Sequence, residues 1–550
     1  MPNNQNDALR ADSEHRSAVE NAYDYIENFD ILETITNVGN DEVFTPAKVC
    51  NEMLDALPDE VWHNPNYKWL NPCSKNGIFE REIAIRLDNG LRDIIPDIEK
   101  RRKHILQNMI YAIGLTKFTS YVARRTLYYC SDATRKCDGI MADDGHYVNG
   151  YAIGNGSWFD TPEGNIKTPD AVHKFGKDGK CVHCGVRSDS KYVDPLQREQ
   201  YAYQFIHFNH PIELQYWLAD TFFNGDKNMK FDIIIGNPPY QLSDGGGTGT
   251  SAMPIYQLFV EQAKTLEPRY ISMIIPARWF AGGKGLDDFR NEMLHDNRIK
   301  ILADYFNAED CFPGVDISGG VCHFLWDRST PGDCSVVSHI GKNVTTMDRP
   351  LLEKNTDSFI RFNQSISILR KVQALNEQSF ETIVSARRPF GLNADDHIHD
   401  ENDDINLIKV YAYPKNGYVS KNCIRQNDIW VKQYKVLVAK AYGERGDFPY
   451  LVIGKPFIGE KETCCTETYL VIGPDDNLNV VQNIQRYMTS RFFRFLVLLK
   501  KNTQNAPKGV YQLVPMQDFS KPWTDKELYE KYGLDQSEID FIESMIRPME

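Results

Sequence analysis

The stretch Phe231-Asp232-Ile233-Ile234-Ile235-Gly236-Asn237-Pro238-Pro239-Tyr240 limits what this chain can fold into more than any other. Residues 231–235 are β-branched or aromatic apart from one Asp, the composition of a short strand buried on both faces. Gly-Asn-Pro-Pro cannot continue that strand, because two successive prolines remove two backbone donors and fix φ. An amide and an aromatic ring therefore sit on a rigid turn at a strand's carboxyl end, the edge where open α/β sheets bind ligands.

Strands alternate with helices on both sides of this turn. In "VFTPAKVCNEMLDAL" (43–57), Pro46 opens a helix whose apolar residues recur at helical spacing. "YKWLNPCSKNGIFEREIAIRL" (67–87) and "NMIYAIGLTKFTSYVARRTLYY" (108–129) each read as strand, turn and helix. Downstream, 255–266 and 289–297 are helical, and 270–276, 299–307 and 319–328 are strands. This alternation predicts a doubly wound, mostly parallel α/β sheet. It is interrupted over about 130–200 by a Gly-, Asp-, Asn- and Lys-rich insertion, and it stops near residue 345. The expected organisation is an N-terminal helical extension (1–40), an α/β domain (41–345) and a mixed α+β C-terminal domain (346–550).

The chemistry follows from residue types. The Asn237 amide oxygen and the next backbone carbonyl can both accept hydrogen bonds from an exocyclic amino group, turning the nitrogen lone pair toward an electrophile. Tyr240 offers a face on which a planar base can stack. Pro238 and Pro239 hold the geometry. A net charge of −14 excludes a wholly basic nucleic-acid binder and leaves room for a local basic cleft. No apolar run has transmembrane length and the first residues lack an apolar signal core, so a cytoplasmic protein without a membrane partner is expected. Among twelve cysteines, Cys181-x-x-Cys184 has metal-ligand spacing. Two further ligands are needed, for which Cys130 and His173 are chosen, with Cys137 in reserve. The surrounding insertion is too polar to build a core, so a structural zinc is the expected staple.

The Asn237-Pro238-Pro239-Tyr240 run resembles the catalytic motif of amino-group DNA methyltransferases that use S-adenosylmethionine, in the form that points to N6 of adenine. It also occurs in protein-glutamine methyltransferases. "NPCSKNGIFEREI" (71–83) resembles the cofactor loop of the same family, Asp-Pro-x-x-Gly-x-Gly. Asn71 stands for the Asp, Pro72 is kept, Lys75 replaces the first Gly and Gly77 is the one glycine left. Phe44 and Thr45 of "VFTP" look like the N-terminal motif that closes over the cofactor's methionine end, and Phe312 of "DCFPG" like the aromatic that packs on a flipped base. Read together, 43–326 resembles the restriction-modification methylases of the Eco57I type, in the gamma arrangement with cofactor motifs before the catalytic motif.

The resemblance implies a Rossmann-like methyltransferase with a mostly parallel seven-stranded sheet, S-adenosylmethionine as cofactor and double-stranded DNA as partner. Adenine N6 lies inside a paired duplex, so the base must be flipped out at a cost of about a few kcal/mol. Residues 346–550 would recognise the target. Candidate phosphate and base contacts there are Arg387, Arg388, Lys432, Lys435, Arg445, Arg491, Arg494, Lys500, Lys501 and Lys508, interleaved with Tyr434, Tyr442 and Tyr511. About 40 residues precede Phe44, short of the roughly 50 that make the smallest domains, so any nuclease is expected to be encoded separately. A bifunctional endonuclease-methylase, a specificity subunit and a protein-glutamine methyltransferase stay open as alternatives.

Overall fold

A computed structural model describes residues 43–129, 163–190, 200–241, 253–283, 285–315, 317–394, 407–444, 448–501 and 503–549, with a few isolated positions between them. The expected helical extension over 1–40 lies outside the described residues. The chain divides into two compact units, Met1–His339 and Ile340–Glu550. No helix among the described residues is long and apolar enough to cross a membrane.

The first unit is built on a mixed sheet, larger than the seven-stranded one expected. Its strands are β1 (Trp69–Ser74), β2 (Ile110–Gly114), β3 (Ile166–Lys167), β4 (Ile233–Gly236), β5 (Tyr270–Pro276), β6 (Ile299–Tyr305), β7 (Val321–Asp327) and β8 (Cys334–Ile340), in the order β3-β2-β1-β4-β5-β7-β6-β8. β1 runs parallel to β2 and β4, and β4 parallel to β5. β7 is antiparallel to both β5 and β6, and β8 extends the sheet beyond β6 in parallel. Every residue of β1, β2, β4 and β5 is buried, which explains their unbroken apolar character: a strand covered on both faces has no polar alternation. Each of Ile233, Ile234 and Ile235 is 0% exposed, and burying one such side chain stabilises by about 1.5–3 kcal/mol.

β1 and β4 are neighbours at the point where strand order turns from 2-1 to 4-5, with Leu70 opposite Ile234. Their carboxyl ends are therefore side by side, the position where doubly wound sheets hold ligands. Helix α1 (Ala47–Asp55) follows Pro46, and helix α2 (Ile78–Gly90) follows the loop after β1. Gly77 enters α2 at φ 83°, and a Cβ there would lie 2.9 Å from the Ala123 backbone. Both facts require glycine at this loop position, which explains why it persists where Lys75 has replaced another.

The second unit begins with β9 (Asn343–Arg349) and contains β10 (Leu407–Tyr411), which pairs antiparallel with β11 (Gly417–Ser420) and parallel with β14 (Thr463–Cys465). A separate antiparallel sheet places β12 (Tyr434–Ala439) between β13 (Phe457–Gly459) and β15 (Tyr469–Asp475). Several side chains expected to contact DNA have structural roles instead. Lys435 is 0% exposed and donates to the Trp430, Gln433 and Glu460 carbonyls. Arg494, also 0% exposed, donates to the Thr489, Ser490, Leu451 and Arg547 carbonyls. Tyr511 is fully buried. Arg387 and Arg388 share Glu467, Arg491 pairs with Glu543, Lys500 with Asp357, and Lys501 donates to the Tyr442 carbonyl. Lys461 lies over the Tyr434 ring, Lys432 is exposed, Lys508 is half-buried, and Arg445 lies outside the described residues. Composition cannot separate a cation that holds carbonyls inside a domain from one that faces solvent.

Candidate functional site

Asn237 is the first residue past β4 and is 2% exposed. Its amide nitrogen donates to the Val43 carbonyl and to Thr45 Oγ1, each at 3.0 Å. Two acceptors on one side fix which way the carboxamide points. Its oxygen, Oδ1, is buried and meets no donor among the described residues. A buried acceptor without a partner has capacity for an incoming donor. Gly236, just before it, packs against the β1 loop: a Cβ there would lie 2.6 Å from Asn71 Oδ1 and 3.2 Å from Cys73 Sγ. Glycine is required by that close approach.

The loop after β1 closes the other side. Asn71 accepts from the Cys73 backbone N–H at 3.1 Å and donates from Nδ2 to Glu80 Oε1 at 2.9 Å. Lys75 is 6% exposed. Its ammonium donates to the Val43 carbonyl at 2.9 Å, the same oxygen that receives Asn237, and lies 5.8 Å from the Tyr240 ring centroid. Thr45, Asn71, Gly77 and Asn237 line one pocket, together with Lys75 and Glu80. Phe44 and Pro72 are buried beside these residues in sequence. The structure thus brings Thr45, Asn71, Gly77 and Asn237 to one pocket, whose lining does not include Phe44 or Pro72, and gives Thr45 a further task, holding the Asn237 amide. Two buried acceptors of the pocket, Asn237 Oδ1 and Glu80 Oε2, have no well-directed donor. They fit a ligand that brings hydrogen-bond donors or positive charge.

Tyr240 is 7% exposed. Burial holds its phenol well above the usual range, with Cys311 and Cys322 adding to the shift. No well-directed hydrogen bond reaches its hydroxyl among the described residues, although the Asn237 amide lies near enough to offset part of that shift. Phe312, 1% exposed, meets it edge-on, with centroids 6.5 Å apart and planes at 63°. The two rings do not form a parallel slot; Phe312 buttresses the edge of Tyr240.

A second cluster joins three residues of the expected insertion to one beyond it. His173, Cys181, Cys184 and His207 offer ligand atoms that all fall within 4.8 Å of one another. Cys184 Sγ is 3.5 Å from His173 Nδ1, and Cys181 Sγ is 4.0 Å from His207 Nε2. Zinc–sulfur and zinc–nitrogen bonds of about 2.3 and 2.05 Å give a tetrahedral N···S edge of about 3.6 Å, close to both. Gly185, at φ 76°, turns the knuckle, and its N–H returns to the Cys181 carbonyl at 2.9 Å. His207 Nδ1 bonds the Val172 carbonyl at 2.9 Å, which leaves Nε2 for the cluster, as ligating histidines are commonly oriented. The expected ligands Cys130 and Cys137 lie outside the described residues; the fourth group in the cluster is His207. Nothing in the sequence marks it as a ligand, because it follows the apolar segment Tyr201–Ile206, beyond the polar insertion, with no ligand spacing around it.

Residues 108–312 match the Eco57I restriction-modification methylase family. The chain is 44% identical over 357 residues to an uncharacterized adenine-specific methylase of Mycoplasma pneumoniae, an alignment covering 63% of this chain and 81% of that protein. Among solved structures, it is similar to a nuclease-deletion mutant of the Type ISP restriction-modification enzyme LlaGI with a DNA substrate mimic, at 11% identity and a TM-score of 0.45, over 84% of this chain and 45% of that one. It is also similar to the Type IIL restriction-modification enzyme MmeI in complex with DNA, at 10% identity and a TM-score of 0.44, over 85% and 63% respectively. The chain thus spans less than two thirds of either solved protein. With the family match and the 44% identity added to the Asn237 site, the chain belongs to the adenine-specific methylases of the Eco57I restriction-modification type.

Proposed function

We propose that this chain methylates N6 of adenine at a specific site in double-stranded DNA, within a restriction-modification system. The observation that carries this reading is the Asn237 carboxamide, held through its nitrogen by Val43 and Thr45 and left with a buried, unpartnered oxygen. That oxygen accepts one hydrogen of the target amino group, and the Pro238 carbonyl accepts the other. The nitrogen lone pair is then free for attack, and no covalent enzyme intermediate is needed. S-adenosylmethionine, bound along Thr45, Asn71 and Gly77, supplies the methyl group. The flipped adenine stacks on Tyr240, and Phe312 keeps that ring in position. The geometry is preorganised before the substrate arrives, which is where such sites gain rate. His173, Cys181, Cys184 and His207 hold a structural zinc, since four protein ligands leave no open position. Residues 346–550 read the target sequence.

The test is transfer of tritiated methyl from S-adenosylmethionine to unmethylated DNA, followed by sequencing for modified bases. N6-methyladenine at one short motif is expected, and Asn237→Ala should abolish the label while DNA binding persists. Label in protein instead of DNA, or an Asn237→Ala variant that still methylates, overturns the reading.

A further inference from the structure

Glu80 stands in the first turn of α2 and is 1% exposed. One oxygen accepts from Asn71 Nδ2 at 2.9 Å; the other, Oε2, is buried with no well-directed donor, the Ser74 hydroxyl lying beside the carboxylate. Burial raises its pKa, against the pull of the Ser74 hydroxyl and Asn71. No cation pairs with Glu80 among the described residues, although a carboxylate removed from water costs several kcal/mol unless positive charge offsets it. Its neighbour Arg81 is committed to Glu82 at 2.8 Å. Glu80 lines the same pocket as Thr45, Asn71 and Asn237.

The position of Asn71 explains why a carboxamide stands where the cofactor loop is usually written with Asp. An Asp there would set a carboxylate oxygen about 2.9 Å from Glu80, two like charges in contact. A carboxamide donates instead. The Asn71 departure and the acid at position 80 are thus one feature: the negative charge has moved across a hydrogen bond from the loop to the helix.

We propose that Glu80 holds the α-ammonium of the cofactor's methionyl moiety, with Asn71 fixing one carboxylate oxygen and leaving the other for the ligand. The cofactor has two cationic centres, and the ammonium is the better match because it brings N–H donors to a buried carboxylate with about four lone-pair sites, which a sulfonium cannot do. The assignment rests on the methyltransferase reading of the site.

Calorimetry on the full chain separates the two. S-adenosylhomocysteine keeps the ammonium, whereas 5′-methylthioadenosine lacks it. Glu80→Gln should weaken S-adenosylhomocysteine by about tenfold or more while methylthioadenosine stays within about twofold, the signature of one lost charge-assisted contact. The double variant Asn71→Asp, Glu80→Gln returns the carboxylate to the loop and should recover most of the loss. Equal weakening of both ligands, or no weakening of either, overturns the assignment while leaving the methyltransferase reading intact. A wild-type chain that binds neither ligand overturns both.

Discussion

Replacing Thr45 by valine removes one hydroxyl and little volume. In the wild type both hydrogens of the Asn237 amide nitrogen are occupied, by Val43 and by Thr45 Oγ1 at 3.0 Å. Valine leaves one of them facing a methyl group in a site where Asn237 is 2% exposed. An unsatisfied buried N–H costs about 1–3 kcal/mol. The amide can relieve that cost by rotating, but rotation takes Oδ1 away from the target amino group. If the whole cost falls on the methyl-transfer transition state, the rate drops by about fivefold to 150-fold, at about 1.4 kcal/mol per decade. The assay is single-turnover methylation at saturating cofactor and DNA, with cofactor affinity measured separately by calorimetry. The rate should fall while affinity stays within about twofold, and Thr45→Ser should restore most of it. A rate unchanged by valine would refute the anchoring role. So would a loss that appears entirely as weaker cofactor binding, because Thr45 would then be a ligand contact alone.

Three further outcomes are expected. Tyr240→Phe should methylate within about twofold of wild type, because the hydroxyl it removes makes no well-directed hydrogen bond, whereas Tyr240→Ala removes the ring face and a buried side chain worth about 3–5 kcal/mol; equal losses in rate would argue against stacking. Gly236→Ala drives a Cβ to 2.6 Å from Asn71 Oδ1 and should destabilise by about 1–3 kcal/mol, read as a lower Tm; an unchanged melting curve would contradict the packing described. His207→Ala should reduce bound zinc from about one per chain and open 163–190 to limited proteolysis; full zinc retention, read by mass spectrometry, would remove His207 from the ligand set.

The parts of the site that the sequence displays are those decided locally. β4 and the turn after it are legible because five residues of apolar pattern and two prolines admit few backbone paths. The β1 loop is legible through Pro72 and Gly77, whose positive φ is demanded by its own turn and by the approach of Ala123. What sequence conceals is decided by contacts across the fold. Thr45 and Asn237 stand 192 positions apart, and nothing near either predicts their hydrogen bond. His207 becomes a cluster member only when the chain returns to Val172, 35 positions earlier. Lys435 and Arg494 carry the same letters as surface cations, and only their burial among carbonyls tells them apart.

The Val43 carbonyl accepts from Lys75 of one loop and from Asn237 of the other, 2.9 and 3.0 Å away. A carbonyl oxygen has two lone pairs, so this atom has no further capacity. Any displacement of it is felt on both sides of the pocket, and reciprocity fixes the consequence. If filling the pocket along residues 71–77 tightens the grip of Val43 on Asn237, then occupancy at Asn237 must strengthen binding along 71–77 by the same factor. Two ligands that never touch would then favour each other's residence, and their order of arrival would change the path without changing the final complex.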